Sequence, residues 1–323
     1  MASSIADADP VAAPENSDRA PAASAPLAAA FEALRPYQWV KNLLLFLPLV
    51  MAHQWGNVER VRDVLIAFVA FSLAASSAYV LNDLHDVRAD RQHPLKRFRP
   101  FASGRLSLRA GVLLAVLCLV VAFAVAAPLL PVKFTAMLGL YVGLTLAYSF
   151  YFKQRHLVDV FVLAGLYTHR VLAGGAAVEV VVSPWLLAFC IFFFLSLAFA
   201  KRYTELCRVR GEGTQMLGRA YQVEDLDVIE TVGPTSGYMA VLVLALYVNS
   251  STALSLYRRP FLLWAICPLI LYWLTRVWFL ARRQVLSEDP LLFSLKDRTS
   301  LLVVAAVALL IVLATGWPWG LPF

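Results

Sequence analysis

The chain has 323 residues, of which 60% are hydrophobic and only 15% are charged, and its formal net charge is +7. This balance excludes an ordinary soluble globular protein, in which about a quarter of the residues are charged. Apolar runs of about 18–22 residues recur along the chain, and a helix needs this length to cross the hydrocarbon core of a bilayer. The composition therefore predicts a polytopic membrane protein.

The first predicted element is an amino-terminal tail, residues 1–30, which is rich in Ala, Pro, Ser and Asp. It lacks the basic stretch and the apolar core that are typical of a signal peptide. Its composition favours a disordered tail. We expect the remaining residues, 31–323, to form a single transmembrane transferase domain.

Nine apolar segments follow the tail. Every backbone polar group inside lipid has to be hydrogen-bonded within the protein, and the sequence has no alternating barrel strands. We therefore expect an all-α membrane helix bundle of about nine transmembrane helices. The predicted spans are 37–54, 62–82, 110–128, 132–150, 157–178, 184–201, 233–250, 261–281 and 299–317.

Most of the 28 Lys and Arg residues fall on the side of the membrane that carries the amino terminus when nine spans alternate. Because positive residues favour the cytoplasm, we expect the amino terminus and the 83–109 loop to be cytoplasmic, in a bacterial inner membrane. The net positive charge is interpreted as a topology signal and as attraction for an anionic substrate. No motif typical of nucleic-acid binding occurs, and nothing in the sequence specifies an oligomeric state.

The end of the second span carries three aspartates. Asp83, Asp86 and Asp90 stand at positions i, i+3 and i+7, so a helix places them on one face, and Asn82 precedes Asp86 by four residues. Neighbouring carboxylates repel one another unless a cation lies among them. Magnesium prefers oxygen ligands and commonly bridges carboxylates to substrate phosphates. We interpret the three aspartates as catalytic residues that bind Mg²⁺ together with Asn82.

The structural alternative for these acids is a solvated helix end in which Arg88 and Arg91 are their partners. The metal hypothesis is favoured because the acids continue a membrane span, where ionisable groups usually serve function. Lys96, Arg97 and Arg99 follow in the same loop and are predicted to bind phosphate oxygens. The preference of basic residues for the cytoplasm also accounts for such a run.

Charged residues in other spans are further candidates for substrate binding. Lys41 and Asn42 lie at the start of the first span, where a lysine that only snorkels to the interface is the structural alternative. Asp159 and Arg170 share one face of the fifth span, but about 16 Å of helix separates them, too far for direct pairing. A structural contact inside the bundle is the open alternative for both.

The ends of two other spans supply the remaining candidates. Lys201 and Glu205 form an i, i+4 pair beside Arg202, an arrangement that suits either a capped helix end or a set of substrate ligands. Tyr148 and Lys153 border the predicted mouth of the site, where we expect them to contact a phosphate.

The motif NDLHDVRAD at residues 82–90 resembles the NDxxDxxxD motif of the UbiA superfamily of intramembrane prenyltransferases. The segments RPYQWVKN, YSFYFKQRHLVDVF, THRVLAGG and KRYTEL resemble one branch, the decaprenyl-phosphate phosphoribosyltransferases. The resemblance runs from about residue 34 to the carboxyl terminus. It implies a UbiA-like bundle with a polar cavity that opens to the cytoplasm, and Mg²⁺ as the cofactor. It also implies phosphoribosyl diphosphate as the donor and a polyprenyl phosphate, such as decaprenyl phosphate, as the acceptor. On this interpretation Lys41, Arg97, Lys201 and Arg202 clamp phosphates.

One departure from the superfamily bears on the substrate. Quinone-forming relatives carry a second aspartate-rich motif on a later loop, whereas the corresponding segment here is the basic KRYTELCRVRGEG. A more basic site suits a more anionic pair of substrates. Two alternatives stay open: a prenyltransferase that moves a polyprenyl group onto an aromatic acceptor such as 4-hydroxybenzoate, and a transporter or lipid-binding membrane protein without catalysis.

Overall fold

A computed structural model describes residues 26–93, 95–212, 221–286 and 289–316, and all regular structure in these residues is helical. The predicted all-α fold is confirmed. Most of the predicted tail lies outside the described residues, but residues 26–30 belong to the first helix, α1 (Pro26–Leu34). The assignment of residues 31–323 to a single transferase domain remains a prediction.

Eight helical segments in the described residues are long and apolar enough to cross a membrane, as expected of a multi-pass membrane protein. The helices at their centres are α3 (Val58–His85), α5 (Leu108–Leu129), α6 (Val132–Phe150), α7 (Val158–Ala177), α8 (Pro184–Glu212), α9 (Leu226–Val248), α11 (Ile266–Arg282) and α13 (Arg298–Thr315). Shorter helices connect them: α2 (Leu47–Met51), α4 (Val87–Gln92), α10 (Ser251–Leu256) and α12 (Pro290–Lys296).

The first predicted span, 37–54, differs from a regular α-helix. It is a 3₁₀ helix, Pro36–Phe46, that continues into α2. Pro48 has no N–H and cannot donate an α-helical hydrogen bond to the carbonyl of Leu44. The N–H of Leu47 bonds to that carbonyl instead, one residue earlier than in an α-helix. The proline thus accounts for the 3₁₀ bond at the end of this helix.

Small residues bring α3 and α5 into contact. The buried positions of α5 include Gly111, Ala115 and Ala122, and Ser77 of α3 donates a hydrogen bond to the carbonyl of Ala115 at 2.8 Å. Lipid supplies no hydrophobic drive for helices to associate, so close packing of small side chains and hydrogen bonds between helices stabilise such contacts.

The helices α3 and α7 are the most buried of the bundle. In the 18-residue apolar stretch of each helix, 61% of the residues of α3 and 67% of those of α7 are buried, against 22% for α5 and 17% for α13. The two central helices also carry the charged candidates Asp83, Asp159 and Arg170. The charged candidates therefore lie on the two most buried helices.

The first span approaches α7 at a glycine. A Cβ added to Gly174 would lie 2.1 Å from the carbonyl oxygen of Leu45, so only glycine allows this contact between two backbones. The contact matters to the site, because Asn42 on the same 3₁₀ helix accepts a hydrogen bond from Arg170 of α7.

We predict that Gly174→Ala lowers the free energy of unfolding by about 2 kcal/mol. The added Cβ would collide with the backbone of Leu45, which cannot move aside as a flexible side chain can. The thermal midpoint of the purified protein in detergent measures the change. The control is Gly165→Ala on the same helix, where an added Cβ would meet nothing within 4 Å. Equal midpoints for the two variants would contradict the prediction.

Candidate active site

The aspartates of the predicted metal motif lie at a break between two helices. Helix α3 ends at His85 and α4 begins at Val87, so Asp86 belongs to neither helix. Asp83 and Asp90 are buried, with exposures of 2% and 4%, whereas the side chain of Asp86 is about a quarter exposed. The three acids occupy one region but have different surroundings.

Two arginines hold the buried pair of acids. Arg35 Nη2 donates to both carboxylate oxygens of Asp83 at 2.7 Å. Arg99 Nη1 contacts Asp83 at 3.2 Å and Asp90 at 2.8 Å. Since one nitrogen bridges the two carboxylates, the structure brings together Asp83, Asp90 and the predicted phosphate ligand Arg99.

In the structural alternative, a solvated helix end, Arg88 and Arg91 would pair with the acids. The structure does not show these pairs: Arg88 is exposed, and Arg91 Nε donates to the carbonyl of Ala102 at 3.2 Å. Arg35 takes their place from a segment 48 residues earlier in the chain. Its φ of 51° lies in the left-handed region, which is strained for a residue with a side chain.

Asp86 has a separate partner. Lys153, in the turn after α6, places its Nζ 3.2 Å from both carboxylate oxygens of Asp86. Asn82 also donates to Asp86, at 3.2 Å. The structure thus joins Lys153 to the acidic motif, as the position of Lys153 beside the predicted mouth suggests.

A second ion-pair cluster lies between α7 and α8. Asp159 accepts a hydrogen bond from Tyr148 at 2.7 Å, and Arg202 Nε lies 2.9 Å from its other oxygen, at an ion-pair distance but without hydrogen-bond geometry. Arg202 Nη1 contacts Glu205. The side chains of Asp159 and Arg202 are fully buried. Arg202 Nη2 is also buried and has no hydrogen-bond partner among the described residues.

Arg170 is buried in a different environment. Its guanidinium donates to Asn42 Oδ1 at 3.0 Å, to the hydroxyl of Tyr141 at 3.0 Å and to the carbonyl of Leu166 at 2.7 Å. No ion pair joins it to a carboxylate in the part of the chain that the structure describes. As the helical spacing predicts, Arg170 and Asp159 do not pair with each other.

A third cluster joins Lys41 and Lys201 through an aspartate that was not a candidate. Asp289 Oδ2 lies 2.9 Å from Lys41 Nζ and 3.4 Å from Lys201 Nζ, and it accepts a hydrogen bond from Tyr167 at 2.9 Å. Burial alone would raise the pKa of Asp289, but the two ammonium groups outweigh it and hold this pKa well below its usual range. Asp289 is therefore a permanent anion at neutral pH.

Lys96 and Arg97 lie on the short 3₁₀ turn Lys96–Phe98, where both are exposed. The guanidinium of Arg97 stacks over the ring of Phe98 at 4.8 Å. The buried acids Asp83 and Asp90 pair with Arg99 and not with these two residues. Their predicted roles as phosphate ligands, like the roles of the other candidates, remain predictions.

Sequence reasoning missed Arg35, Tyr167 and Asp289. Arg35 belongs to RPYQWVKN, a segment that was recognised only for its resemblance, and it precedes a proline at the mouth of the first span. Asp289 is separated from Lys41 by 248 residues. The spacing of residues along the chain cannot predict a contact between Lys41 and Asp289, and the only signal for Asp289 was its position in a charged loop.

The donor chemistry of the aspartate motif fits magnesium. Asp83, Asp86 and Asp90 offer the carboxylate oxygens that Mg²⁺ prefers, although each acid is now paired with an Arg or a Lys. Among the described residues, no three acidic, His or Cys side chains are gathered closely enough to hold a metal by themselves. Magnesium commonly completes its shell with water and substrate phosphates, so a diphosphate would supply the missing ligands.

The sequence matches the profile of the UbiA prenyltransferase family over residues 43–296. The chain is 36% identical to the nodulation protein NoeC of Azorhizobium caulinodans, in a match that covers 89% of this chain and 94% of that protein. It is also 36% identical to an uncharacterised protein of Sinorhizobium fredii, y4nM, but spans only 55% of its length. With the decaprenyl-phosphate phosphoribosyltransferase of Mycobacterium tuberculosis it shares 39% identity, over 56% of this chain and 61% of that enzyme.

Solved structures have the same fold. A UbiA homologue from Archaeoglobus fulgidus bound to GPP and Mg²⁺ aligns with a TM-score of 0.66 at 18% identity, over 88% of this chain and 99% of the homologue. A digeranylgeranylglyceryl phosphate synthase structure aligns with a TM-score of 0.62 at 14% identity, over 90% of this chain and 98% of that chain. The family profile covers most of the chain and includes the aspartate motif, and the fold agrees with it. The chain belongs to the UbiA prenyltransferase family.

Proposed function

We propose that this protein transfers a 5-phosphoribosyl group from phosphoribosyl diphosphate to a polyprenyl phosphate and releases diphosphate. One observation carries the proposal: α8 carries Lys201 and Arg202, which pair with Asp289 and Asp159, in the segment that corresponds to the second acidic motif of quinone-forming relatives. Added cations favour two anionic substrates over an aromatic acceptor with less negative charge. The identity to the Mycobacterium tuberculosis enzyme supports the same chemistry.

The residues of the acidic motif have a defined part in this reaction. Asp83, Asp86 and Asp90, with Asn82, would hold the magnesium ion. When bound, the ion supplies Lewis-acid help by neutralising charge on the diphosphate. Arg99 and Lys153, which neutralise these acids, would contact the diphosphate oxygens as well.

The acceptor requires little activation. An oxygen of the polyprenyl phosphate forms a bond to C1 of the ribose while the bond from C1 to the diphosphate oxygen breaks, and the electron pair leaves with the diphosphate. Because the attacking oxygen is already anionic, no general base is needed. The protein's contribution is to orient two anions that repel each other. The unpaired Nη2 of Arg202 is a donor that a phosphate could use.

An apolar cavity of about 450 Å³ supports a lipid substrate. It is lined by residues of α2, α8, α9, α10, α11 and α13. An isoprenoid chain is apolar, so burial in such a cavity is favourable. We propose that the tail of the acceptor enters between these helices. The cavity is lined by side chains that include Leu47, Met51, Phe189, Phe193, Ile270 and Ile311.

We also propose that the charged end of the bundle, where these ion pairs lie, faces the cytoplasm of a bacterial inner membrane. The concentration of basic residues in the loops at this end supports the orientation. It would also give the enzyme access to a water-soluble donor.

A second candidate function is transfer of a prenyl group to an aromatic acceptor. The shared fold with a homologue bound to GPP and Mg²⁺ favours it, since this ligand is a prenyl diphosphate. A transporter or lipid-binding role without catalysis is less well supported, because the buried ion pairs gather at one end of the bundle and not at its midplane.

We predict that Asp86→Asn lowers the rate of magnesium-dependent phosphoribosyl transfer by about 100-fold, because a metal ligand is lost while the side-chain volume is kept. Diphosphate release by the purified protein measures the rate. Asp86 is preferred to Asp83 for this test because it is partly exposed and its loss perturbs the fold less.

The matched control is Asp63→Asn, which removes a partly exposed aspartate paired with Arg62 near the start of α3, the helix that ends just before Asp86. It should retain the wild-type rate. Full activity of Asp86→Asn would remove the acidic motif from the mechanism.

The donor can be identified directly. We expect diphosphate release, and a labelled lipid product, from phosphoribosyl diphosphate with a polyprenyl phosphate, and loss of both when EDTA removes magnesium. Release from geranyl diphosphate with 4-hydroxybenzoate instead would establish the prenyl-transfer alternative. No release from any donor would favour the role without catalysis.

A further inference from the structure

Three donors converge on one oxygen atom of Asp289. Lys41 Nζ, the hydroxyl of Tyr167 and Lys201 Nζ lie at 2.9, 2.9 and 3.4 Å from Oδ2. The other oxygen, Oδ1, accepts a hydrogen bond from the backbone N–H of Leu291 and caps α12. The three donors come from three separate segments: the first span, α7 and α8. They form a ready site for one anionic oxygen.

The charge of this cluster is unbalanced. One carboxylate serves two ammonium groups, and the side chains of Lys41 and Asp289 are only 9% and 7% exposed. Arg170 adds a further positive charge, since its guanidinium lies 5.6 Å from the centre of the Tyr167 ring and Lys41 Nζ lies 5.7 Å from it. Buried positive charge in excess of its counter-charge favours binding of another anion.

The cluster also adjoins apolar surface. The ring of Tyr167 stacks on Phe194 at 5.3 Å, and Phe194 contacts Phe193, which lines the apolar cavity. Lys41 and the cavity residue Leu47 lie on one continuous helical segment, roughly 12 Å apart along its axis. A ligand with a phosphate head on the cluster and a hydrocarbon tail in the cavity would have to span about this distance.

The acidic motif is a separate place for phosphate groups. Asp83, Asp86 and Asp90 contact Arg35, Arg99 and Lys153, none of which contacts Asp289. A two-substrate transferase needs distinct positions for donor and acceptor, and the Asp289 cluster is the one that is linked to the apolar cavity, through Phe194 and Phe193.

We infer that Lys41, Tyr167 and Lys201 bind the phosphate of the polyprenyl phosphate acceptor, and that Asp289 is an internal anion that competes with it. The inference rests on the proposed function for the name of the acceptor. A phosphate oxygen takes the place of Asp289 Oδ2 among the three donors, without any covalent step. Asp289 thereby sets the affinity for the acceptor and rejects ligands that bring no strong anion to the site.

The experiment measures binding, with farnesyl monophosphate as a short acceptor probe and purified full-length protein in detergent. We expect Asp289→Asn to bind this probe about ten-fold more tightly than the wild type, because the competing charge is gone. Farnesol, which lacks the phosphate, should bind both proteins equally. The affinity for phosphoribosyl diphosphate should not change.

The matched control is Asp297→Asn. Asp297 likewise caps a helix, α13, and forms an ion pair, with Arg276 at 2.7 Å, but it contacts none of the three donors. Both substitutions are expected to lower the thermal midpoint. Only Asp289→Asn should change the affinity for farnesyl monophosphate.

Lys201→Met is a second test of the inference, and it applies even if Asp289→Asn does not fold. It leaves the pair between Asp289 and the more buried Lys41 intact. We expect about ten-fold weaker binding of farnesyl monophosphate and unchanged binding of phosphoribosyl diphosphate. Unchanged affinity for farnesyl monophosphate would overturn the inference.

Three further results would overturn it. Unchanged or weaker binding by a folded Asp289→Asn variant would make Asp289 a purely structural residue. Tighter binding of phosphoribosyl diphosphate alone would assign the cluster to the donor. An equal gain for inorganic phosphate would remove the role of the lipid.

The proposed function can fail independently. If the protein consumes no phosphoribosyl diphosphate but Asp289→Asn still tightens binding of farnesyl monophosphate, the lipid-phosphate site stands and the reaction does not. If phosphoribosyl transfer proceeds but the variants bind farnesyl monophosphate with unchanged affinity, the proposed reaction is supported and the assignment of the Asp289 cluster to the acceptor is wrong.

Discussion

The charged end of the bundle is held together by ion pairs between segments that are distant in the sequence. Arg35 binds Asp83, Lys153 binds Asp86, and Lys41 binds Asp289. A buried charge without a partner is costly, so each of these contacts fixes where its two segments meet. The same pairs gather basic and acidic groups at one end of the bundle.

Under the proposed function, the same pairs also take part in substrate binding. Removal of one partner from a buried pair leaves an uncompensated charge, which makes the remaining group a stronger ligand for an ion of opposite sign. A diphosphate that attracts Arg99 or Lys153 would free carboxylates for magnesium. A lipid phosphate that attracts Lys201 would loosen Asp289. Within each cluster, the acids and the basic groups thus serve as each other's counter-ions.

Close packing of the apolar bundle positions these polar groups. The backbone contact at Gly174 sets the first span against α7, and this contact brings Asn42 to Arg170. Small residues let α5 approach α3, which ends in the acidic motif. Lipid-facing side chains on α5 and α13 contribute little to the site, since most of these helices' residues are exposed to the surroundings of the bundle.

The sequence by itself determined the all-helical fold, the approximate spans and the acidic motif, because hydropathy and residue spacing report on local structure and on the environment of each segment. The 3₁₀ winding of the first span was not evident, since hydropathy does not distinguish a 3₁₀ helix from an α-helix. The helical face proposed for the three aspartates is interrupted at Asp86, where α3 ends. Only the tertiary structure decided which cation meets each acid. Asp83 meets Arg35 rather than Arg88, and Lys41 meets Asp289 across 248 residues, because the packing of helices and not the spacing along one of them brings such groups together.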